Sequence, residues 1–232
     1  MSRARIQLEP GYILNARPYN DTSLLLEAFT RSHGRVGLVA RGARGAKSKT
    51  RALLQPLCPL LLSWTQSGDM GSLTAAEAGG ASFMLSGERV FYAWYLNELL
   101  LKLTQRHDAH PDLFDRYALT LSQLHESDVQ IALRLFEKHL LAELGYGLHL
   151  PDDLLPDQHY RCAADLQPVA ASAGPHTYIG SSLIALADET LATPQALKDA
   201  QRLLRAAIRQ QLGGKELETP TMLRELRARI SL

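Results

Sequence analysis

Residues 31–51 read RSHGRVGLVARGARGAKSKTR, with seven lysines or arginines, four glycines and no acid. Cations at this density suit phosphate binding, because Lys and Arg replace the counterions condensed on a nucleic-acid strand. Glycine lets the backbone come close, and Ser48 and Thr50 can donate hydrogen bonds to phosphate oxygens. Three structures would carry such a stretch: a nucleotide-binding phosphate loop, a disordered segment, or one edge of a nucleic-acid groove. The phosphate loop fails on its lysine. Gly37 and Gly42 have the required separation, but Ala43 follows them, and in Gly45-Ala46-Lys47-Ser48 an alanine stands where that lysine belongs. Disorder suits residues 43–51 by composition, yet apolar runs flank them on both sides. A basic loop tethered to a β scaffold fits better. A merely solvated loop is the plainer alternative, and surfaces that serve solubility usually mix both signs of charge.

Other residue types offer less. His107 and His110, three apart in RHDAHPD, read as surface histidines at a helix end. His159 and Cys162 have ligand-like spacing, with His149 and His176 near in sequence. A structural zinc site usually needs two close pairs, and only one is convincing. Cys58 lies in an apolar run and reads as a small core residue. There is no G-x-S-x-G elbow, and Asp152-Asp153 reads as a solvated loop pair. No acid, base and nucleophile set emerges, so the residues point to binding rather than catalysis.

The elements around the basic stretch change character along the chain. Tyr12–Leu14, Leu24–Thr30, Val36–Ala40, Leu57–Trp64 and Ser72–Ala76 are short apolar runs separated by turns such as Arg17-Pro18-Tyr19-Asn20-Asp21 and Ser32-His33-Gly34. Five such runs predict a small β-barrel or sandwich over residues 1–80, although the Leu-rich second run also suits a helix. From residue 83 onward the period is helical. Phe83–Arg106 is one long apolar stretch; Ser127 and Gln130 form a capping box before a stripe of Val129, Leu133, Phe136, Leu140 and Leu144. Thr193-Pro194 opens another helix that Gly213-Gly214 closes, and Thr219-Pro220 opens a last one. Residues 147–192, rich in Asp, Pro, Ala and Ser, read as an irregular insertion. The expectation is an α+β chain in two domains, 1–80 and 81–232.

Composition agrees with two modules. The 232 residues carry a net charge of +1, but residues 1–80 hold ten basic and five acidic side chains, leaving the remainder at −4. Two cysteines far apart make no disulfide framework, and MSRARIQLEP lacks an apolar signal core, which suits a soluble intracellular protein. The longest aliphatic runs are too short to span a bilayer.

Several blocks resemble one family in the right order: GYILNARPYNDTSLLLEAFTRSHGRVGLVARGAR (11–44), RALLQPLCPLLLSW (51–64), YLNELLLKL (95–103), LRLFEKHLLAELGYGLHL (133–150) and LGGKELETPTMLREL (212–226). They are similar to the RecO recombination mediators of bacterial DNA repair. The resemblance implies an N-terminal OB-fold β-barrel followed by a mostly α-helical domain. It implies binding of single-stranded and double-stranded DNA and annealing of complementary strands. It also implies loading of RecA with RecR onto DNA coated by the single-stranded-DNA-binding protein, in a bacterial cytoplasm at the nucleoid. No reaction that breaks bonds and no cofactor is implied. Arg35, Arg41, Arg44, Lys47, Lys49 and Arg51 fall where the family has its basic OB-fold region, for phosphate contact. Arg134 in LRLFE matches a basic position that holds the acidic C-terminal tail of the single-stranded-DNA-binding protein; the local pattern alone puts it on the polar face of its helix beside Glu137 and Lys138. Some members carry a four-cysteine zinc site after LGYG. Here that segment has only Cys162, which suits a zinc-free branch. Two other readings stay open: an RNA-binding OB-fold protein, and a sequence-specific DNA-binding regulator, for which no strongly basic recognition helix is evident.

Overall fold

The computed structural model describes residues 4–46, 48, 50–81, 85–125, 128–148, 150–151, 153–162 and 167–230. By packing, the chain divides into two compact units, Met1–Ser122 with Leu217–Leu232, and Gln123–Glu216.

The first unit is built on a closed barrel in the order β1-β2-β3-β5-β4. Its strands are β1 (Ala4–Tyr19), β2 (Ser23–Thr30), β3 (Gly34–Ala40), β4 (Pro59–Ser67) and β5 (Met70–Ala78). All five apolar runs are strands, including the Leu-rich second one. Its alternation decides this: Leu24, Leu26 and Ala28 point into the barrel, while Leu25 and Glu27 point out. The barrel core is Ile13, Leu26, Ala28, Val36, Leu38, Leu60, Leu62 and Trp64, closed by Ala43 and Leu54 from the loop after β3. Strand β1 runs on through Arg17, Pro18 and Tyr19, so the turn expected over 17–21 is shorter and begins at Asn20.

Three helices pack with the barrel in this unit: α1 (Glu88–Leu103), α2 (Pro111–Gln123) and α6 (Glu218–Ile230). Part of the expected helix over 83–106 is realised as α1, which begins after Gly87; Phe83 lies outside the described residues. Helix α2 was not legible in the sequence pattern. Pro111 starts it, so His107 and His110 sit in the connection between α1 and α2. Buried Asn97 joins helices to barrel: its Nδ2 donates to the Leu14 carbonyl at 3.0 Å, and its Oδ1 accepts from the Tyr117 hydroxyl at 2.6 Å. Around it, Tyr12 and Phe29 of the barrel stack against Phe114 and Tyr117 of α2, with ring centroids 5.2–6.1 Å apart. Burial pushes the Tyr117 phenol well above its ordinary pKa. The first backbone N–H groups of α6 are satisfied by α1, since Glu98 accepts from Glu218 N at 2.7 Å and Thr219 N at 2.9 Å.

The second unit holds α3 (Val129–Glu143), a three-stranded sheet ordered β7-β6-β8, α4 (Gly180–Ala187) and α5 (Pro194–Gln211). The strands are β6 (His159–Cys162), β7 (Pro168–Ala171) and β8 (Tyr178–Ile179). The segment expected to be irregular over 147–192 therefore carries three strands and a helix. Strands of two to four residues leave too little alternation to read, and the segment leading into β8 is held by a residue distant in sequence. Arg202 of α5 donates to the carbonyls of Pro175 (2.9 Å) and Thr177 (3.1 Å), pairs with buried Asp199, and lies 4.8 Å from the Tyr178 ring centroid. Thr193 caps α5 as expected, accepting from Ala196 N at 3.1 Å. The cap expected at Ser127 lies outside the described residues, and Asp128 occupies the N-cap position of α3. Among the described residues no helix is long and apolar enough to cross a membrane.

Replacing Asn97 with Ala removes both buried bonds and is expected to lower the unfolding free energy by about 2–4 kcal/mol. Urea denaturation checks this; a change under about 0.5 kcal/mol would show that Asn97 does not hold helices to barrel.

Candidate nucleic-acid interface

The five described cations of residues 31–51 separate into two groups by environment. Arg31 is engaged with α2, its Nε and Nη2 donating to the two carboxylate oxygens of Asp115 at 2.9 and 2.8 Å. Arg35 lies on the outward face of β3, where its guanidinium pairs with Glu27 at 3.3 Å and donates to the Thr104 carbonyl at 3.0 Å. Burial lowers the Arg35 pKa, Glu27 opposing that and the neighbouring Arg106 cation adding to it. Its charge is thus used inside the fold, and the structure does not bring Arg35 together with the other arginines expected to contact DNA.

Arg106, from the connection after α1, completes this cluster. It pairs with Glu27 through Nη2 and with Asp69 through Nη1 at 2.6 Å. The Glu27 hydrogen bond holds the Arg106 pKa above its ordinary value. The arginine lies flat across β3 because Gly37 leaves room there; a Cβ on Gly37 would sit 2.7 Å from Met70 Sδ and 3.0 Å from Arg106 Cζ. The same connection crosses β3 at its start, where His107 N donates to Arg35 O at 2.9 Å. Gly34 there has φ +62°, and a side chain on it would overlap the Asp108 carbonyl. In consequence the half of the outer β2–β3 face near Glu27 is covered by the chain itself.

The other group is presented at the opposite end of that face. The loop over residues 41–58 is fastened at both ends, by Ala43 and Leu54 in the barrel core. Arg44 fixes it to the β1–β2 turn: its backbone N donates to Thr22 O at 2.7 Å and its Nη1 to Asn20 O at 3.1 Å. Among the described residues between the anchors, Gly45 N donates to Gly42 O and Ser48 N to Gly45 O, each at 3.0 Å. Arg41, Arg44 and Arg51 are exposed, and none forms an ion pair with a described residue. Lys47 and Lys49 lie outside the described residues. Arg17 and Tyr19, at the end of β1, are exposed beside this loop and escaped the sequence reading, which took them only as turn residues. Their alternation with Ala16, which packs against the core, would have placed them on the outer face.

In the second unit, Arg134 is buried rather than on a polar face. Its Nη2 donates to Glu137 Oε1 at 2.6 Å, Glu137 is buried too, and Arg134 Nε has no hydrogen-bond partner among the described residues. Among the described residues, no group of three or more His, Cys, Asp or Glu is placed to hold a metal ion; His149 lies outside them. His159 Nδ1 instead lies 3.4 Å from the Thr177 hydroxyl.

A closed five-stranded barrel in this strand order, followed by a helical region, is an OB-fold protein, a class that takes up oligonucleotides on the strand 2–3 face and adjoining loops. The family models described as Recombination protein O N terminal and Recombination protein O C terminal match residues 2–80 and 84–220. The DNA repair protein RecO of Nitrosococcus oceani is 45% identical over 233 residues, covering 96% of this chain and 95% of that protein. The DNA repair protein RecO of Coxiella burnetii is 40% identical over 230 residues (94% and 98%), and that of Methylococcus capsulatus 39% over 228 (95% and 94%). The chain belongs to the RecO family of DNA repair and recombination proteins.

Replacing Glu27 with Gln leaves Arg35 and Arg106 facing each other without their shared carboxylate. The expected loss is about 1–3 kcal/mol of unfolding free energy, read by urea denaturation; unchanged stability would mean that the cluster does not hold the α1–α2 connection to the barrel.

Proposed function

We propose that this protein is a recombination mediator that binds single- and double-stranded DNA and anneals complementary strands. In the cytoplasm, with RecR, it would help RecA onto DNA coated by the single-stranded-DNA-binding protein. The observation that carries this reading is the basic loop pinned by Arg44 to the β1–β2 turn of the OB-fold, with Arg41, Arg44 and Arg51 exposed and unpaired among the described residues. Phosphates on two strands repel each other. Cations presented at the edge of the barrel lower that repulsion and let bases meet, without any bond being made or broken. Phosphate contacts carry no base identity, which suits an activity that must accept every sequence.

The annealing of complementary oligonucleotides coated by the single-stranded-DNA-binding protein tests the reading. Wild type should accelerate it, and a folded Arg44/Lys47/Lys49→Glu variant should not. If neither exceeds the spontaneous rate, the mediator reading fails. Neutralisation of about five phosphates by Arg41, Arg44, Lys47, Lys49 and Arg51 gives a log–log salt slope of about −3.5 for single strands. A fluorescence anisotropy titration between about 50 and 300 mM salt measures it, with a slope near zero as the contrary result.

We assign the acidic tail of the single-stranded-DNA-binding protein to Arg134 of α3. The unpartnered Nε supports this, since a guanidinium with an open donor can receive a carboxylate. Arg134→Ala would remove the Arg134 ion pair from the buried Glu137 carboxylate, a change that itself costs about 3–5 kcal/mol. The informative variant is therefore Arg134→Met with Glu137→Gln. It should fold, bind bare DNA as wild type does and lose tail-peptide binding at least tenfold; undiminished tail binding would remove Arg134 from the role.

A further inference from the structure

The four aromatic side chains of the barrel strands have different fates. Tyr12, Phe29 and Trp64 are buried, whereas Tyr19 is 44% exposed. Tyr19 ends β1 opposite Ser23, and Arg17 lies opposite Leu25, so both stand on the outer face of the sheet. Leu25 in turn pairs with Val39 of β3, and Glu27 with Gly37. The outer face therefore reads, from the turn downward, Tyr19, then Leu25 and Val39, then Glu27, Arg35 and Gly37 under the Arg106 guanidinium. Leu25 and Val39 are half-buried apolar side chains; Tyr19 is one diagonal step from Leu25, about 7–8 Å away at sheet spacing. Exposed Arg17 lies opposite Leu25, exposed Arg41 follows the last residue of β3, and exposed Arg44 is fastened to the Asn20 carbonyl next to Tyr19.

We infer that Tyr19, with Leu25 and Val39 beneath it, is a base-stacking platform that takes unpaired bases of single-stranded DNA while the nearby arginines hold its phosphates. The inference rests on the proposed DNA-binding reading and adds the chemistry that separates single strands from duplex at that edge. The arginines near this strip attract any phosphate backbone equally. Only a strand whose bases are unstacked can lay one on an exposed phenol ring. The occupant follows from charge and shape together, because an apolar strip with cations near it suits a flat base linked to an anion. The Arg106–Glu27–Asp69 cluster fixes where the strip ends, so the platform has room for one or two bases rather than a long track.

Equilibrium binding of a fluorescent oligothymidine and of a duplex of equal length, at one salt concentration, tests this with Tyr19→Ala, Tyr19→Phe and Tyr19→Trp. Tyr19→Ala should weaken single-strand binding about 5- to 150-fold, the range for loss of one stacking aromatic, with duplex affinity within twofold of wild type. Tyr19→Phe should keep both affinities. The emission that Tyr19→Trp adds to that of the native tryptophans should be quenched by single strands and not by duplex. Equal weakening of both DNAs by Tyr19→Ala would make Tyr19 a support for the loop and overturn the inference. Unchanged single-strand binding would also overturn it, while leaving the proposed function standing if Arg44/Lys47/Lys49→Glu still abolishes binding. Wild type binding neither DNA would overturn both.

Discussion

The Glu27 carboxylate, shared by the guanidinium groups of Arg35 and Arg106, decides what the outer face of the barrel can do. One acid on the middle of β2 draws in an arginine from the next strand and another from the connection between two helices. Asp69 adds a second acid from the β4–β5 turn, so two cations and two anions are balanced within the cluster. The interaction fastens the α1–α2 connection across β3 and occupies surface that an OB-fold commonly offers to its ligand. Gly34 and Gly37 are the backbone's side of the same arrangement, because a side chain at either would displace that connection.

Charge on this barrel is therefore divided by position. The cations near the covered half are held by Glu27, Asp69 and Asp115, and contribute to the fold. Those beyond it, on the loop anchored by Ala43 and Leu54, face solvent without acidic partners among the described residues. Cations without acidic partners there can meet strand phosphates without first giving up an ion pair inside the fold. The second unit repeats the theme on a smaller scale. Arg202 binds two carbonyls and a tyrosine ring to hold a short sheet, while Arg134 is buried on one carboxylate with a donor to spare.

Much of this was legible in the residues, and most of the failures share a cause. The five strands could be read because each holds a short apolar run set off by turn residues, and α5 because Thr193, Pro194 and Gly213 mark its ends. The basic loop was legible as a loop. Its sorting into structural and free cations was not, since Asp115 and Arg106 lie 84 and 71 positions beyond Arg31 and Arg35 in the chain. Helix α2 and the β6–β8 sheet were missed for the same reason, since partners distant in sequence hold them; the burial of Arg134 was missed although its partner Glu137 is only three residues away. The change in composition near residue 80 suggested a boundary there. Packing nevertheless joins α1, α2 and α6 to the barrel, through Asn97 and the cap that Glu98 provides.

The DNA-binding reading requires a strand to cross the barrel at its open end, beside Arg17, Arg41 and Arg44, and not over the Glu27 cluster. Photo-crosslinking of a bromodeoxyuridine-substituted single strand, followed by mass spectrometric mapping of the adducts, addresses it most directly. Adducts at Tyr19 and within residues 41–51 are the predicted result. Adducts confined to the face around Glu27 and Arg106, or to Gln123–Glu216, would contradict it.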